Sequence, residues 1–448
     1  MPGPFLIHHM VAPLWADIGG PLAPVSIRDQ MLRAQSIVSE ARHAGAIGAQ
    51  RPFLVIGGGA AGAAAAREAA LNGVPTLLIE RNAHLFERQA LCNTRWIDPA
   101  QYDWPHGWYD TGAYPVTSPA FPAAISVPIP WTAGFASNLA IQWRASVPVP
   151  GLSIACGWQL GARQPSLVGP ASAPLLRVPL QSTTMKSASV TVGFVLACVG
   201  FGSESTSPPS GSTRGTAFWE SDSLQTPTAS RVLVAGAGDG ALQDFLRAAT
   251  RRKSALDIWQ AGVGPLVSKE QLYLLTSAEE LSARAYVWSD GRADKQIHAD
   301  LHRVHQDVVD SIFAQAPPLS PLAPLLASGA EVQLVSREKH FPQCYALNRF
   351  LVLFLLKLDE CLSRAEPTRR RRLGVHVASL DKIVEYGTTT SPPSAAIPPK
   401  LWDAVYSSAG GPQGPFDAIV VRYGITQPAR PWWVPSAIAR QALPYRPH

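Results

Sequence analysis

Four apolar residues, Phe53-Leu-Val-Ile56, run directly into Gly57-Gly-Gly-Ala-Ala-Gly62 and an alanine-rich stretch that ends at Arg67. An unbroken apolar run of that length, stopped by glycine, predicts a strand buried on both faces, and the alanines predict a helix after it. Val74-Pro-Thr-Leu-Leu-Ile79 repeats the strand pattern and closes on Glu80. The pattern returns at Arg231-Val-Leu-Val-Ala235, followed by Gly236-Ala-Gly-Asp-Gly-Ala241 and a helical stretch through Arg247. Further strands are predicted over 190–200, 255–259, 331–335, 374–377 and 416–424, the last returning to the first sheet. Helices are predicted over most of 267–318 and 344–366. Near the N-terminus, Ser26-Ile-Arg-Asp29 reads as a capping box before Met31, Leu32, Ala34, Ile37 and Val38, whose spacing suits a helix packed on one face. That helix reads as an appendage ahead of the core. Short apolar runs alternating with helices predict an α/β protein built on parallel sheets.

The two glycine turns carry the most specific chemistry. Gly57 permits a tight turn, Gly59 lets the backbone approach a pyrophosphate, and Gly62 lets the helix lie against the strand. The free N–H groups of that helix, from Ala60 and Ala61 onward, meet an anion. Glu80 stands 23 positions after Gly57, where an acid meets ribose hydroxyls, with Arg81 beside it. Gly236, Gly238 and Ala241, with Asp239 and Gly240 between them, form the alanine-ended variant of the same turn. No terminal acid like Glu80 follows the strand predicted at 255–259, so the ribose preference of this second turn stays open.

Composition narrows the class. The chain has 448 residues, 46% of them apolar and 16% charged, enough to bury the cores of two or three lobes, and its 41 prolines predict many irregular connections. The stretch 115–150 is proline-rich, and polar loops are predicted at 203–215 and 388–400. The net charge of +6 is spread out except at Arg369-Arg-Arg-Arg372, which reads as a solvated loop, and specific nucleic-acid binding is not predicted. The first 20 residues lack a secretory pattern, and Leu351-Val-Leu-Phe-Leu-Leu356 is too short to span a bilayer. Cys92, Cys156, Cys198, Cys344 and Cys361 stand far apart with no Cys-x-x-Cys pair. A reduced, cytoplasmic protein without a membrane segment is the expectation.

Several side chains are candidates for chemistry. Cys92 follows the first cofactor unit and reads either as a redox thiol activated by Arg88 or Arg95, or as a packing residue. Arg95 is a candidate partner for an anion. Trp96, Tyr102 and Trp104 read as an aromatic wall or as core. His298, His302 and His305 share one helical face, but the outer two stand about 10 Å apart along the axis, so a polar helix face is expected rather than a metal site. Tyr345, Asn348 and Arg349 lie at helical spacing ahead of the apolar run and are candidates for a polar pocket.

Taken together, Gly57–Gly62 with Glu80, the run Val195-Leu-Ala-Cys-Val-Gly-Phe-Gly202, the turn Gly236–Ala241 and Asp417-Ala-Ile-Val-Val-Arg-Tyr-Gly424 resemble the flavoprotein oxidoreductases with two dinucleotide-binding domains. The resemblance implies a Rossmann-like FAD-binding domain with an inserted second Rossmann-like NAD(P)-binding domain. The implied order is an N-terminal extension over 1–49, able to meet a protein partner, and a first FAD part over 50–225. The NAD(P) domain follows over 226–405, with a return over 406–448. FAD falls on 57–62 and Glu80, NAD(P)H on 236–241, and Gly202, Arg422 and Gly424 near the cofactors. The implied activity passes electrons from NAD(P)H through flavin to a small molecule or oxygen. A flavin monooxygenase and a flavin-bound structural or regulatory protein are the alternatives. The paired cysteines of disulfide reductases are absent, the monooxygenase fingerprint is absent, and no Gly-Asp element for the flavin phosphate and ribityl chain is evident near the C-terminus.

Overall fold

The computed structural model describes residues 3–19, 26–98, 100–106, 129, 133–210, 215–228, 230–288, 294–341, 344–386, 401–407, 411–412, 414–425 and 430–434. The loop predicted at 388–400 and much of the proline-rich stretch lie outside them. The described residues form two compact units. One draws on 1–93, 113–203 and 425–448, the other on 94–112 and 204–424.

The first unit is built on six strands: β1 (Met10–Ala12), β2 (Trp15–Asp17), β3 (Phe53–Ile56), β4 (Thr76–Glu80), β5 (Leu152–Cys156) and β6 (Phe194–Ala197). Their order is β1-β2-β6-β3-β4-β5, parallel throughout except for the β1/β2 pair. All four residues of β3 are buried, as an apolar strand covered on both faces requires. On one face, α1 (Ile27–His43) packs along α2 (Ala60–Leu71). Ala63, Ala64, Ala65 and Ala66 are fully buried, since α2 lies between α1 on one side and strands β3 and β4 on the other. Elsewhere a smaller antiparallel sheet, centred on Leu175–Ser182, alternates its burial and sends Leu176, Val178 and Leu180 into a core with Trp15, Leu54, Ile56 and Ile79. Ser26 caps α1 as its sequence predicts, its Oγ accepting from Asp29 N at 3.0 Å. The N-terminal segment is not an appendage, however. β2 pairs with β6, and α1 buries twelve of its residues.

The second unit has a four-stranded parallel sheet of β7 (Arg231–Ala235), β8 (Glu331–Ser336), β9 (Leu373–Val377) and β10 (Ala418–Val421), in the order β9-β8-β7-β10. The helices α3 (Asp239–Thr250) and α4 (Ala346–Ala365) share its large apolar core, and Phe350, Leu351, Val352 and Phe354 are fully buried. Two predictions are corrected here. Residues 255–259 are helical, because Ser254 Oγ caps Asp257 N at 3.1 Å and Ala255, Leu256, Ile258 and Trp259 all bury within this turn. The strand predicted over 416–424 does not return to the first sheet. It lies beside β7, clamped by Asp417, whose carboxylate accepts from Ser230 N at 3.0 Å and Arg231 N at 2.7 Å.

Candidate functional site

In the first unit the chain leaves β3 at Gly57 with a φ of 106°. That left-handed geometry is closed to most side chains, and a Cβ there would overlap the Cys198 carbonyl. A Cβ at Gly62 would overlap the Gly57 carbonyl oxygen. At Gly59, the N-cap of α2, a Cβ would meet no atom of the described residues within 4 Å. The turn is thus closed from below and open above, where the first N–H groups of α2, including those of Ala60 and Ala61, lack helical partners. Glu80 is buried at the end of β4, its carboxylate accepting from Gly58 N at 2.5 Å and Asn82 N at 2.8 Å. Arg81 is exposed next to it.

Asp17 ends β2 close to this turn and was missed in the sequence, because the resemblance directs attention to the C-terminus. It is 3% exposed and its carboxylate accepts from Gly19 N at 2.6 Å. Arg430 pairs with it at 3.0 Å. A Cβ at Gly19 would lie 2.9 Å from the Gly200 carbonyl oxygen and 3.2 Å from Val199, so this corner adjoins the residues that follow β6. Burial outweighs the Arg430 charge and the Gly19 hydrogen bond and raises the Asp17 carboxyl to about 6. Cys198 is buried, and burial, reinforced by Asp17, pushes its thiol well above the usual range. Gly202 has a φ of 105° and its carbonyl accepts from Arg88 at 3.1 Å. Cys92 is buried after the short helix Glu87–Ala90.

The second unit repeats the turn. Gly236 follows β7 with a φ of 134°, and a Cβ there would overlap the Arg422 carbonyl oxygen. Gly238 is the N-cap of α3, and a Cβ on it would meet nothing within 4 Å among the described residues. A Cβ on Gly240 would meet the Phe218 ring at 3.3 Å, and Ala241 is fully buried. Asp239 gathers two predicted residues. Its Oδ1 accepts from Tyr345 N at 3.0 Å and Asn348 Nδ2 at 2.6 Å, while its Oδ2 accepts from Gln243 at 2.6 Å. Burial outweighs these bonds and raises the Asp239 carboxyl above its usual range. The Asn348 Oδ1 atom is buried with no donor opposite it among the described residues.

Arg95 and Arg422, expected beside a cofactor anion, converge instead on Asp244, which is fully buried. Arg95 reaches both carboxylate oxygens at 2.8 and 3.1 Å, Arg422 Nε donates at 2.9 Å and Arg247 at 3.0 Å. Burial opposes the Asp244 charge, but Arg95, Arg422 and Arg247 outweigh it and hold the carboxyl well below the usual range. The aromatic residues also separate. Trp104 is core, packed at 5.1 Å against both Trp259 and Phe350, Trp96 lies 4.1 Å from the Lys253 ammonium, and Tyr102 meets Tyr345 at 4.6 Å. Gly424 has a φ of 94° and an open Cβ position.

The histidine face is not simply polar. His305 is fully buried and bonds Glu279 at 2.9 Å, and Arg349 donates to the same oxygen at 2.8 Å. His302 lies 5.0 Å from the His340 ring. Among the described residues no cluster of three or more His, Cys, Asp or Glu side chains is arranged to hold a metal, and no helix is long and apolar enough to cross a membrane.

No protein-family model matches the chain, and no curated protein matches it in sequence. Among solved structures, the bacillithiol disulfide reductase Bdr (YpdA) from Bacillus cereus is 10% identical over 84% of this chain and 78% of its own, with a TM-score of 0.37. Its counterpart from Staphylococcus aureus is 10% identical over 84% and 76%, with the same TM-score of 0.37. A thioredoxin reductase from Lactococcus lactis in the FR conformation is 10% identical over 84% and 78%, with a TM-score of 0.30. Likeness that distant carries no functional weight.

Proposed function

We propose that the protein is an NAD(P)H-dependent flavoprotein oxidoreductase, with FAD at the first turn and a nicotinamide dinucleotide at the second. One observation carries the reading: in each sheet an inner parallel strand is followed by a glycine of positive φ and then by an N-cap glycine whose Cβ position is empty among the described residues. Empty space at Gly59 and Gly238 fits a pyrophosphate pressed against bare backbone. Gly57 through Gly62 would hold the FAD phosphates, Glu80 would take ribose hydroxyls, and Asp17 would stand in for the Gly-Asp element not evident near the C-terminus. The flavin would supply the hydride acceptor and pass electrons on to a small molecule or oxygen.

The protein's side chains then position and enclose. Tyr345, through its backbone N–H, and Asn348, through its side-chain amide, are assigned to holding Asp239 at the second turn, so they are positioning residues. Arg95 and Arg422 are assigned to the scaffold through Asp244, and Cys92 to packing. Anaerobic titration of the purified full-length protein tests the reading. It should carry FAD as isolated and bleach when NADPH or NADH is added, and a folded protein that neither contains nor binds FAD would overturn it. A second reading, FAD held without turnover, is favoured by the Phe218 ring, which lies against Gly240 within the second turn. It predicts a yellow protein that neither nucleotide bleaches.

A further inference from the structure

The first turn supplies an internal standard for the second. In the β3/β4 pair Ile56 lies opposite Ile79, so the next residues along the two strands are Gly57 and Glu80. In the β7/β8 pair Ala235 lies opposite Val335, and the next residues are Gly236 and Ser336. Gly57 and Gly236 both leave their strands with positive φ. By this register Ser336 occupies the position that Glu80 occupies in the first unit. The sequence conceals the match, because β8 follows α3 only after a long helical excursion.

The chemistry at the two positions differs. Glu80 presents a carboxylate beside its turn. Ser336 presents a short, buried hydroxyl that accepts from Glu338 N at 2.9 Å. After it come Arg337, Glu338 and Lys339, all exposed. Arg337 is held lightly, its Nε donating to Ser379 Oγ at 2.8 Å. The Glu338 charge leaves this run one positive charge in excess. An acid at this strand end reads a free ribose 2′-hydroxyl and repels a phosphate there, whereas an arginine accommodates the phosphate.

We infer that the second turn selects a dinucleotide phosphorylated on its adenosine ribose, NADPH over NADH, with Arg337 as the principal phosphate partner and Lys339 as the second. The inference rests on the second turn being a nicotinamide site. Equilibrium binding of NADPH, NADH and 2′-AMP to the full-length flavin-loaded protein, held anaerobically with its flavin reduced beforehand by dithionite so that no hydride can pass, is read by calorimetry and tests it without turnover. Wild type should bind NADPH at least about tenfold more tightly than NADH. Arg337→Ala should lose about tenfold in affinity for NADPH and 2′-AMP while NADH is unchanged. Ser336→Glu should shift preference toward NADH, and Arg337→Ala serves alone if that variant fails to fold, since the Arg337 side chain is exposed. NADH binding as tight as NADPH binding, abolished by Gly238→Val, would overturn the inference and keep the site. Equal weakening of both nucleotides by Arg337→Ala would also overturn the inference. Binding of neither nucleotide to wild type would overturn both.

Discussion

A Cβ at Gly59 would meet no atom of the described residues within 4 Å, whereas one at Gly62 would strike the Gly57 carbonyl oxygen. Gly59→Val should therefore fold with a near-native melting temperature and lose bound flavin, because only the ligand competes for that space. Flavin content per folded protein checks this, and a full complement of FAD would remove the first turn from the site. Gly62→Val should fail earlier, at folding. Asp244 offers a different test. Its carboxylate is shared by Arg95, Arg247 and Arg422 with no solvent access. Asp244→Asn leaves three guanidinium groups around a neutral amide and should cost about 3–5 kcal/mol in urea unfolding, the scale for breaking a buried ion pair. The glycine roles were legible in the sequence, because turn geometry is local. The Asp244 cluster was not, because Arg95 and Arg422 approach it from distant parts of the chain.

At the scale of elements, α2 is enclosed between α1 and the sheet with Ala63 to Ala66 fully buried, so added volume has nowhere to go. Ala66→Leu should destabilise the first unit by about 1–3 kcal/mol, the usual range for overpacking a filled core, measured as a lower urea midpoint. The helix Asp294–Ala314 carries a pH dependence. Burial first, then the charges of His340, Arg349 and His305, lower His302 to about 4 from 6.5. His305 is also lowered, by burial against the support of Glu279. Both rings are neutral in the folded protein at pH values where the unfolded chain protonates them, so unfolding takes up protons. The His302 contribution to stability is complete above about pH 6.5 and is lost as pH falls toward 4, and His305 adds in the same direction. His302→Gln should flatten the fall in stability between pH 7 and pH 5, and an unchanged slope would exclude His302 as a source. Helical spacing was enough to put the three histidines on one face. Only the partner helix carrying Glu279 decided that His305 is buried.

At the scale of the whole chain, each unit is assembled from separated segments. β1, β2 and α1 belong to the first unit, since β2 pairs with β6 and α1 covers α2. Deleting residues 1–49 should expose the edge of β6 and the alanine face of α2, leaving an aggregated or flavin-free product. A soluble, flavin-loaded protein beginning at residue 50 would show the segment to be dispensable. The boundary expected at 406, returning the chain to the first unit, fails for the same kind of reason: β10 completes the sheet around β7.

What the sequence determined by itself is local. Short apolar runs stopped by glycine define β3 and β7, the capping box defines the start of α1, and residue spacing sets Glu80 opposite the first turn. These follow from backbone geometry and hydrogen bonds within a few residues. The tertiary structure decided which strands are neighbours, and so which residue stands at each strand end. Asp17 joins the first turn and Ser336 the second through parallel pairing across long intervals of chain. Such pairing is selected by burial of the whole sheet rather than by any adjacent residue, which is why no local pattern records it.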